Sequence, residues 1–207
     1  MPLTLDNVIW DAEQQRYLTA RGRALTAKEV RGLIDGLVKT SAARMKAWAS
    51  QMQTGKLSVP KWQALMAKEV KNLHSATVVI ARGGRGSMTP RDWGKLGADL
   101  KFQFKHLRDF ALAVPRTIVE RTAAIPARAE MYGTAGIGSY ENSVLDRNIE
   151  FGLSIARRVM ARGVDSCDVC IDEDDLGWQD INEIRRIGDS PCGARCNCII
   201  EYEEETF

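Results

Sequence analysis

A chain of 207 residues, 44% hydrophobic and 27% charged, is long enough to bury a core and suits one main domain with a small appendage. No uninterrupted apolar run approaches the ~20 residues that a membrane-spanning helix needs, which argues against a membrane partner. The net charge of +2 hides a split: 26 Lys and Arg face 15 Asp and Glu up to Ser166, a net of +11, and 3 face 12 from Cys167 onward, a net of −9. A basic body with an acidic tail suits contact with nucleic acid or an acidic partner surface, although solvated helix faces alone also collect Lys and Arg.

Read in chain order, the pattern is mostly helical. Asn7 to Tyr17 reads as a short first helix with Ile9, Trp10 and Tyr17 available for packing. Thr26-Ala27-Lys28-Glu29 is a capping-box pattern. Val30, Leu33, Ile34, Leu37, Val38, Met45, Trp48, Ala49 and Met52 follow at helical spacing, and Thr54-Gly55 is the expected stop. A second long helix begins near Ser58, with Pro60 in its first turn, where a missing N–H costs little. Trp62, Leu65, Met66, Val70 and Leu73 mark its buried face. The glycines Gly83-Gly84-Arg85-Gly86 end it. They have neither a Gly-Lys-Ser/Thr finish nor a preceding strand, so a flexible turn is expected rather than a phosphate loop.

Thr89-Pro90-Arg91-Asp92 opens the third helix with an N-cap, a proline at N1 and an acid near the positive dipole end. Its apolar stripe is Trp93, Leu96, Leu100, Phe104, Leu107 and Phe110–Ala111, and Pro115 closes it. A shorter helix over Arg116 to Ala123 follows. Ala127 to Tyr132 and Tyr140 to Met160 then read as helices separated by a loose Gly133-Thr134-Ala135-Gly136-Ile137-Gly138. Trp48, Trp62, Trp93, Phe104 and Tyr132 are expected in the core of an elongated helical bundle. Past the first cysteines, Gln179 to Ile187 reads as a short helix ended by Gly188, and Ile199 to Glu203 as a strand.

All five cysteines fall in the acidic tail: Cys167, Cys170, Cys192, Cys196 and Cys198. A Cys-x-x-Cys pair puts two thiolates on one tight turn, at a distance that suits a tetrahedral metal ion. The second cluster supplies two more ligands and leaves one sulfur over. Zinc favours thiolates, and four of them close the site against water. Spacing alone does not assign the fifth sulfur: the favoured ligands are Cys167, Cys170, Cys192 and Cys196, with Cys198, which runs into apolar Ile199-Ile200, the favoured spare and the alternative to any one of them. The rival reading is two disulfides and a free thiol. The opening Met-Pro-Leu-Thr-Leu-Asp has no secretory pattern, so a reducing cytosolic setting is expected, where disulfides are rare. A thioredoxin-like pair would need a βαβ context, and Asp172-Glu173-Asp174-Asp175 follows instead. That acidic run lacks the alternation and glycine of a calcium loop and reads as a solvated turn. The domain reading is therefore a helical body over 1–163 and a zinc-knuckle module over 164–207. So small a module needs the ion for its fold, and about 10 kcal/mol of apparent zinc binding is ample.

No catalytic residue is expected. The two histidines, His74 and His106, sit in separate helical runs. His-Glu-x-x-His, Gly-x-Ser-x-Gly and a strand-linked Gly-x-Gly-x-x-Gly are missing from the sequence. No His-x-Glu precedes the Cys-x-x-Cys as a zinc deaminase requires.

Short stretches along most of the chain carry a family likeness. They are Gly55-Lys56-Leu57, Trp62-Gln63, His74-Ser75-Ala76, Ala81-Arg82-Gly83-Gly84 and Met88-Thr89-Pro90-Arg91-Asp92-Trp93-Gly94. Leu107-Arg108-Asp109-Phe110-Ala111, Arg128-Ala129-Glu130-Met131-Tyr132, Tyr140, Gly177-Trp178 and the cysteine tail continue the series. Together they resemble the minor head, or head-morphogenesis, proteins of tailed bacteriophages in the Mu F-like group. Many relatives end in His-Pro-Asn-Cys-Arg-Cys; here Cys192 stands four residues before Cys196, in place of a histidine three before.

The resemblance implies a structural virion protein, present in multiple copies at the portal vertex or inner capsid wall and aiding head assembly or DNA packaging and delivery. The implied partners are portal or major capsid protein and packaged DNA. The implied location is the virion, with the host cytoplasm during assembly. The alternative is a zinc-dependent nucleic-acid-binding regulator encoded by a phage or prophage. Such a finger would be expected to carry a basic recognition helix, yet Arg185 and Arg186 stand among Asp180 and Glu183.

Overall fold

The computed structural model describes residues 8–11, 13–14, 16–115, 124–160 and 166–203. Its architecture is mainly α with a small C-terminal strand region, as the periodicity predicts. Helix α1 spans Ala27–Gln53. The Thr26 hydroxyl accepts from the Glu29 backbone N–H, and the Glu29 carboxylate accepts from that of Thr26, at 3.2 and 2.9 Å. Two N–H groups that the first turn leaves over are thereby satisfied. Gly55 takes the left-handed conformation just past the end. Helix α2 is Val59–Ala81, α3 is Pro90–Ala113 with a second capping box between Thr89 and Asp92, α4 is Ala124–Thr134 and α5 is Gly136–Glu150. The helix expected over Arg116 to Ala123 lies outside the described residues.

These helices bury the stripes that defined them. Val30, Ile34, Val38, Met45, Ala49 and Met52 of α1 are buried. Trp62 of α2 is fully enclosed, with Phe110 edge-on at 5.2 Å and Phe110 in turn stacked on Tyr132 at 6.2 Å. Helix α1 packs on α4 and α2, and α2 packs on α5 and α3. Trp93 and Phe104 are not core residues: they are 38% and 36% exposed. Helix α3 is covered through Leu96, Leu100, Leu107 and Phe110, and Trp93 and Phe104 fall at the rim of that narrow stripe. Trp48 is half-buried against the same core.

The N-terminal stretch expected to be helical is a hairpin. Strand β1 (Val8–Asp11) pairs antiparallel with β2 (Arg16–Thr19), Trp10 opposite Tyr17, and β3 (Ala24–Leu25) joins β2. The Asp11 carboxylate accepts from the backbone N–H of Glu13 and Gln14 at 3.0 and 3.2 Å, a local turn that competes with helix. The hairpin is sewn to α2 at Gly83, whose carbonyl accepts from the Trp10 N–H at 3.0 Å. A Cβ on Gly83 would stand 2.0 Å from that of Trp10, and its φ is +89°. Gly83 serves close approach, where the sequence suggests a merely flexible turn. Arg147 of α5 completes the seam: it lies 3.7 Å from the Trp10 ring centre and donates to the Tyr17 hydroxyl and the Ala81 carbonyl.

The glycines at 133–138 are helical as well, with Ala135 alone separating α4 from α5. A Cβ on Gly133 would lie 2.4 Å from the Ala42 Cα, and one on Gly136 would lie 2.9 Å from Leu73. Small residues here let helices touch, and periodicity reads them as a break. Helix α5 also stops early, at Glu150. Gly152 turns the chain at φ +83° into β4 (Ile155–Val159). Strand β4 is the centre of a sheet ordered β5-β4-β6, with β5 at Gln179–Asp180 and β6 at Ile199–Tyr202. The tail module therefore draws its central strand from residues ahead of 163. Residues 179–187 are not a helix: after β5, Asp180 accepts from the Asn182 N–H at 2.8 Å and starts a series of turns. The acidic run 172–175 is not a free turn either but the end of α6 (Asp168–Asp175). There Glu173 is buried and paired with Arg185 at 2.9 Å. No described helix is long and apolar enough to cross a membrane.

Candidate metal centre

Two tight turns and a strand entry bring the sulfurs together. Cys167 precedes α6, and its carbonyl accepts from the backbone N–H of Cys170 and Ile171 at 2.8 and 3.1 Å. That first turn sets both side chains on one side. Cys192 and Cys196 flank a 3-10 turn over Gly193–Arg195, closed by Cys196 N–H donating to the Gly193 carbonyl at 3.0 Å. Gly193 has φ +52°, a conformation disfavoured for a residue with Cβ. Cys198 then leads into β6. Ile181, Ile184, Ile187, Ile200, Leu145 and Ala156 wrap the cluster in a core of its own.

All five thiols are free of disulfides. The sulfurs of Cys167, Cys170 and Cys192 lie within 4.8 Å of one another, as do those of Cys170, Cys196 and Cys198. Cys170 belongs to both groups. Its sulfur is 3.4 Å from that of Cys167 and 3.5 Å from that of Cys192. A disulfide needs about 2.05 Å, whereas thiolates about 2.3 Å from a tetrahedral ion stand about 3.8 Å apart. The spacing fits the edge of a tetrahedral thiolate site, so the cluster could hold a metal ion. The cysteines expected as ligands are split between these two groups: Cys167, Cys170 and Cys192 stand in one, while Cys196 stands in the other with Cys170 and Cys198. Cys198, expected to be spare, is 3% exposed, and its sulfur lies within the same 4.8 Å of Cys170 as that of Cys196.

One member of the site carries no cysteine signature. Arg158 of β4 is fully buried. Its Nη2 donates to the sulfurs of Cys170 and Cys196 at 3.3 and 3.1 Å and to the Ser190 hydroxyl at 2.9 Å, and its Nη1 donates to the Arg185 carbonyl at 3.3 Å. The hydrogen bond from Cys198 holds the Cys196 thiol down to about 4 against burial, with the Arg158 guanidinium adding to the effect. Burial works against the charge on Arg158, and Cys196, Cys198 and Cys170 more than offset it. The sequence signal was available: in Ile155-Ala156-Arg157-Arg158-Val159 a strand's alternation must turn one arginine inward.

The module is fixed to the body by specific bonds. Asn142 of α5 brackets Ile187, donating to its carbonyl and accepting from its N–H, both at 2.9 Å. The Thr134 hydroxyl donates to the Ala194 carbonyl at 2.8 Å. Arg186 pairs with Asp146 at 2.5 Å. Glu141, 4% exposed, accepts from the Ile200 N–H at 3.3 Å and pairs with Arg31 of α1. A cleft lies where α3, α5 and the module meet, with both histidines on its wall. His74 Nδ1 is 2.6 Å from the Ser139 hydroxyl. Burial lowers His74 to about 4, and among the described residues no carboxylate orients it.

Comparison of the chain with known protein families, with curated proteins and with solved structures finds no match.

Proposed function

We propose that this chain is a structural minor head protein of a tailed bacteriophage, acting at the portal vertex or inner capsid wall in head assembly or DNA packaging and delivery. Its acidic end is stapled by zinc. The observation that carries the reading is the burial of one side of the sulfur cluster, Cys167 and Cys192 being half-buried at its edge. A catalytic zinc keeps an open position for water or substrate, whereas a structural one is closed by protein. Here Cys170, Cys196 and Cys198 are buried and the Arg158 guanidinium sits against two of the sulfurs. A thiolate-only donor set favours zinc among the common divalent ions. The stapled module is then a rigid extension of α4 and α5, suited to bearing load between larger partners.

The exterior supports a docking role. Phe102 and Leu112 of α3 are 61% and 79% exposed, and Leu176 and Trp178 of the module are also exposed. These apolar side chains supply contact area for portal or capsid protein, while the Lys/Arg-rich body faces packaged DNA. The stretches that resemble the Mu F-like group agree with this reading. They favour it over the regulator, whose basic helix has no counterpart among the described residues of the module: Arg185 and Arg186 lie in turns and are engaged with Glu173 and Asp146.

The test is fractionation of infected cells. The chain is expected in purified particles at fixed copy number, and a chain found free and missing from particles would overturn the proposal. DNA contact is tested separately. Binding should weaken steeply as salt rises, because phosphate contacts release condensed counterions; salt-independent binding, or none at low salt, removes that part.

A further inference from the structure

We propose that Arg158 is the counter-charge of the cysteine centre, a positioning residue whose N–H groups orient the Cys170 and Cys196 sulfurs and make the site retain a divalent metal ion. The inference rests on the metal reading above and goes beyond it, since nothing in the cysteine spacing requires an arginine.

The argument begins with strand geometry. β4 alternates, with Ala156 and Arg158 inward and Arg157 outward. Arg157 behaves as a surface residue: it pairs with Glu201 at 2.6 Å and covers the Trp178 ring. Arg158 has no such outlet. It is fully buried, and among the described residues no carboxylate pairs with it. A guanidinium does not lose its proton in a protein, and an uncompensated buried charge is strongly destabilising. The acceptors beside its Nη2 are sulfurs and a hydroxyl. Nη2 offers two hydrogens to three of them, Cys170, Cys196 and Ser190.

The charge balance then points to a metal. Four thiolates around a divalent ion carry a net charge of −2, which is costly to enclose among isoleucines. One guanidinium reduces it to −1 and directs N–H···S bonds at sulfurs from each half of the cluster. Cys170 comes from the helix start and Cys196 from the 3-10 turn. Arg158 thus ties the two cysteine turns to the central strand and supplies the outer-shell donors that metal ligands require.

The experiment uses the full chain with zinc or cobalt(II) as the only added ion. Arg158→Met is expected to weaken zinc, measured by chelator competition, about 10- to 100-fold, the usual range for an outer-shell partner. Arg158→Lys, which restores charge but not the fork of donors, should fall between Arg158→Met and wild type. Arg157→Met, on the outward face of the same strand, should stay within about twofold of wild type. In the cobalt-loaded protein the thiolate-to-cobalt charge-transfer band should shift in Arg158→Met and stay put in Arg157→Met. A purely structural role would not produce that signature. A folded Arg158→Met with unchanged affinity and an unchanged band overturns the proposal. Should Arg158→Met fail to fold even with metal, the Lys and Gln variants decide: tighter zinc in Lys than in Gln supports the counter-charge, and equal zinc refutes it. A wild-type chain that binds neither ion instead sinks the metal reading itself.

Discussion

Two buried groups on neighbouring helices, His74 of α2 and Glu141 of α5, pull the pH dependence of stability in opposite directions. Burial lowers His74 from 6.5 to about 4. The stability linked to its neutral form is therefore present above pH 6.5 and is lost as pH falls toward 4. Burial raises Glu141 from 4.5 to about 7, with Arg31 opposing the rise. Its contribution is fully present below pH 4.5 and is lost as pH rises through 7. Across pH 7.5 to 5.5, linkage gives roughly 1.5 kcal/mol for each group, with opposite signs. These two contributions nearly cancel in the wild-type chain. Glu141→Gln should uncover the histidine, so that stability falls by about 1.5 kcal/mol on acidification over that range. His74→Gln should uncover the acid, so that stability rises by a similar amount. Glu29, Asp92 and Asp109 are held below their ordinary values, so their effects belong to more acidic solutions. The assay is denaturant unfolding at pH 7.5, 6.5 and 5.5 with metal content held constant. Both variants running parallel to wild type would refute the assignment of these two groups as the opposing titrations.

Removing the metal should unfold the tail and spare the body. After chelation, far-ultraviolet helicity from α1 to α5 should persist while limited proteolysis cuts within 166–203, and an unchanged digestion pattern would contradict a metal-dependent module. Cys170→Ser, which removes the sulfur shared by both groups, should cost more metal affinity in chelator competition than Cys198→Ser. Gly133→Ala should destabilise by about 1–3 kcal/mol, the usual cost of overpacking, because its Cβ meets the Ala42 backbone. Gly97→Ala on exposed α3, where a Cβ meets nothing within 4 Å, should stabilise by about 0.5–1 kcal/mol in the same thermal melts.

The three long helices and the gathering of all five cysteines in the tail are legible in the sequence. Capping boxes at Thr26 and Thr89, Pro60 and Pro90 in first turns, and three- and four-residue apolar steps are local signals that set φ/ψ within a few residues. The hairpin, the helical nature of 133–138, the strand β4 and the buried place of Arg158 become legible only in the assembled fold. Each depends on a partner far away in the chain. Trp10 needs Gly83 and Arg147, Gly133 needs Ala42, β4 needs β5 and β6, and Arg158 needs sulfurs contributed by two later turns. The local pattern at those positions is compatible with more than one conformation. What selects among them is the packing and charge that only the assembled fold brings to bear.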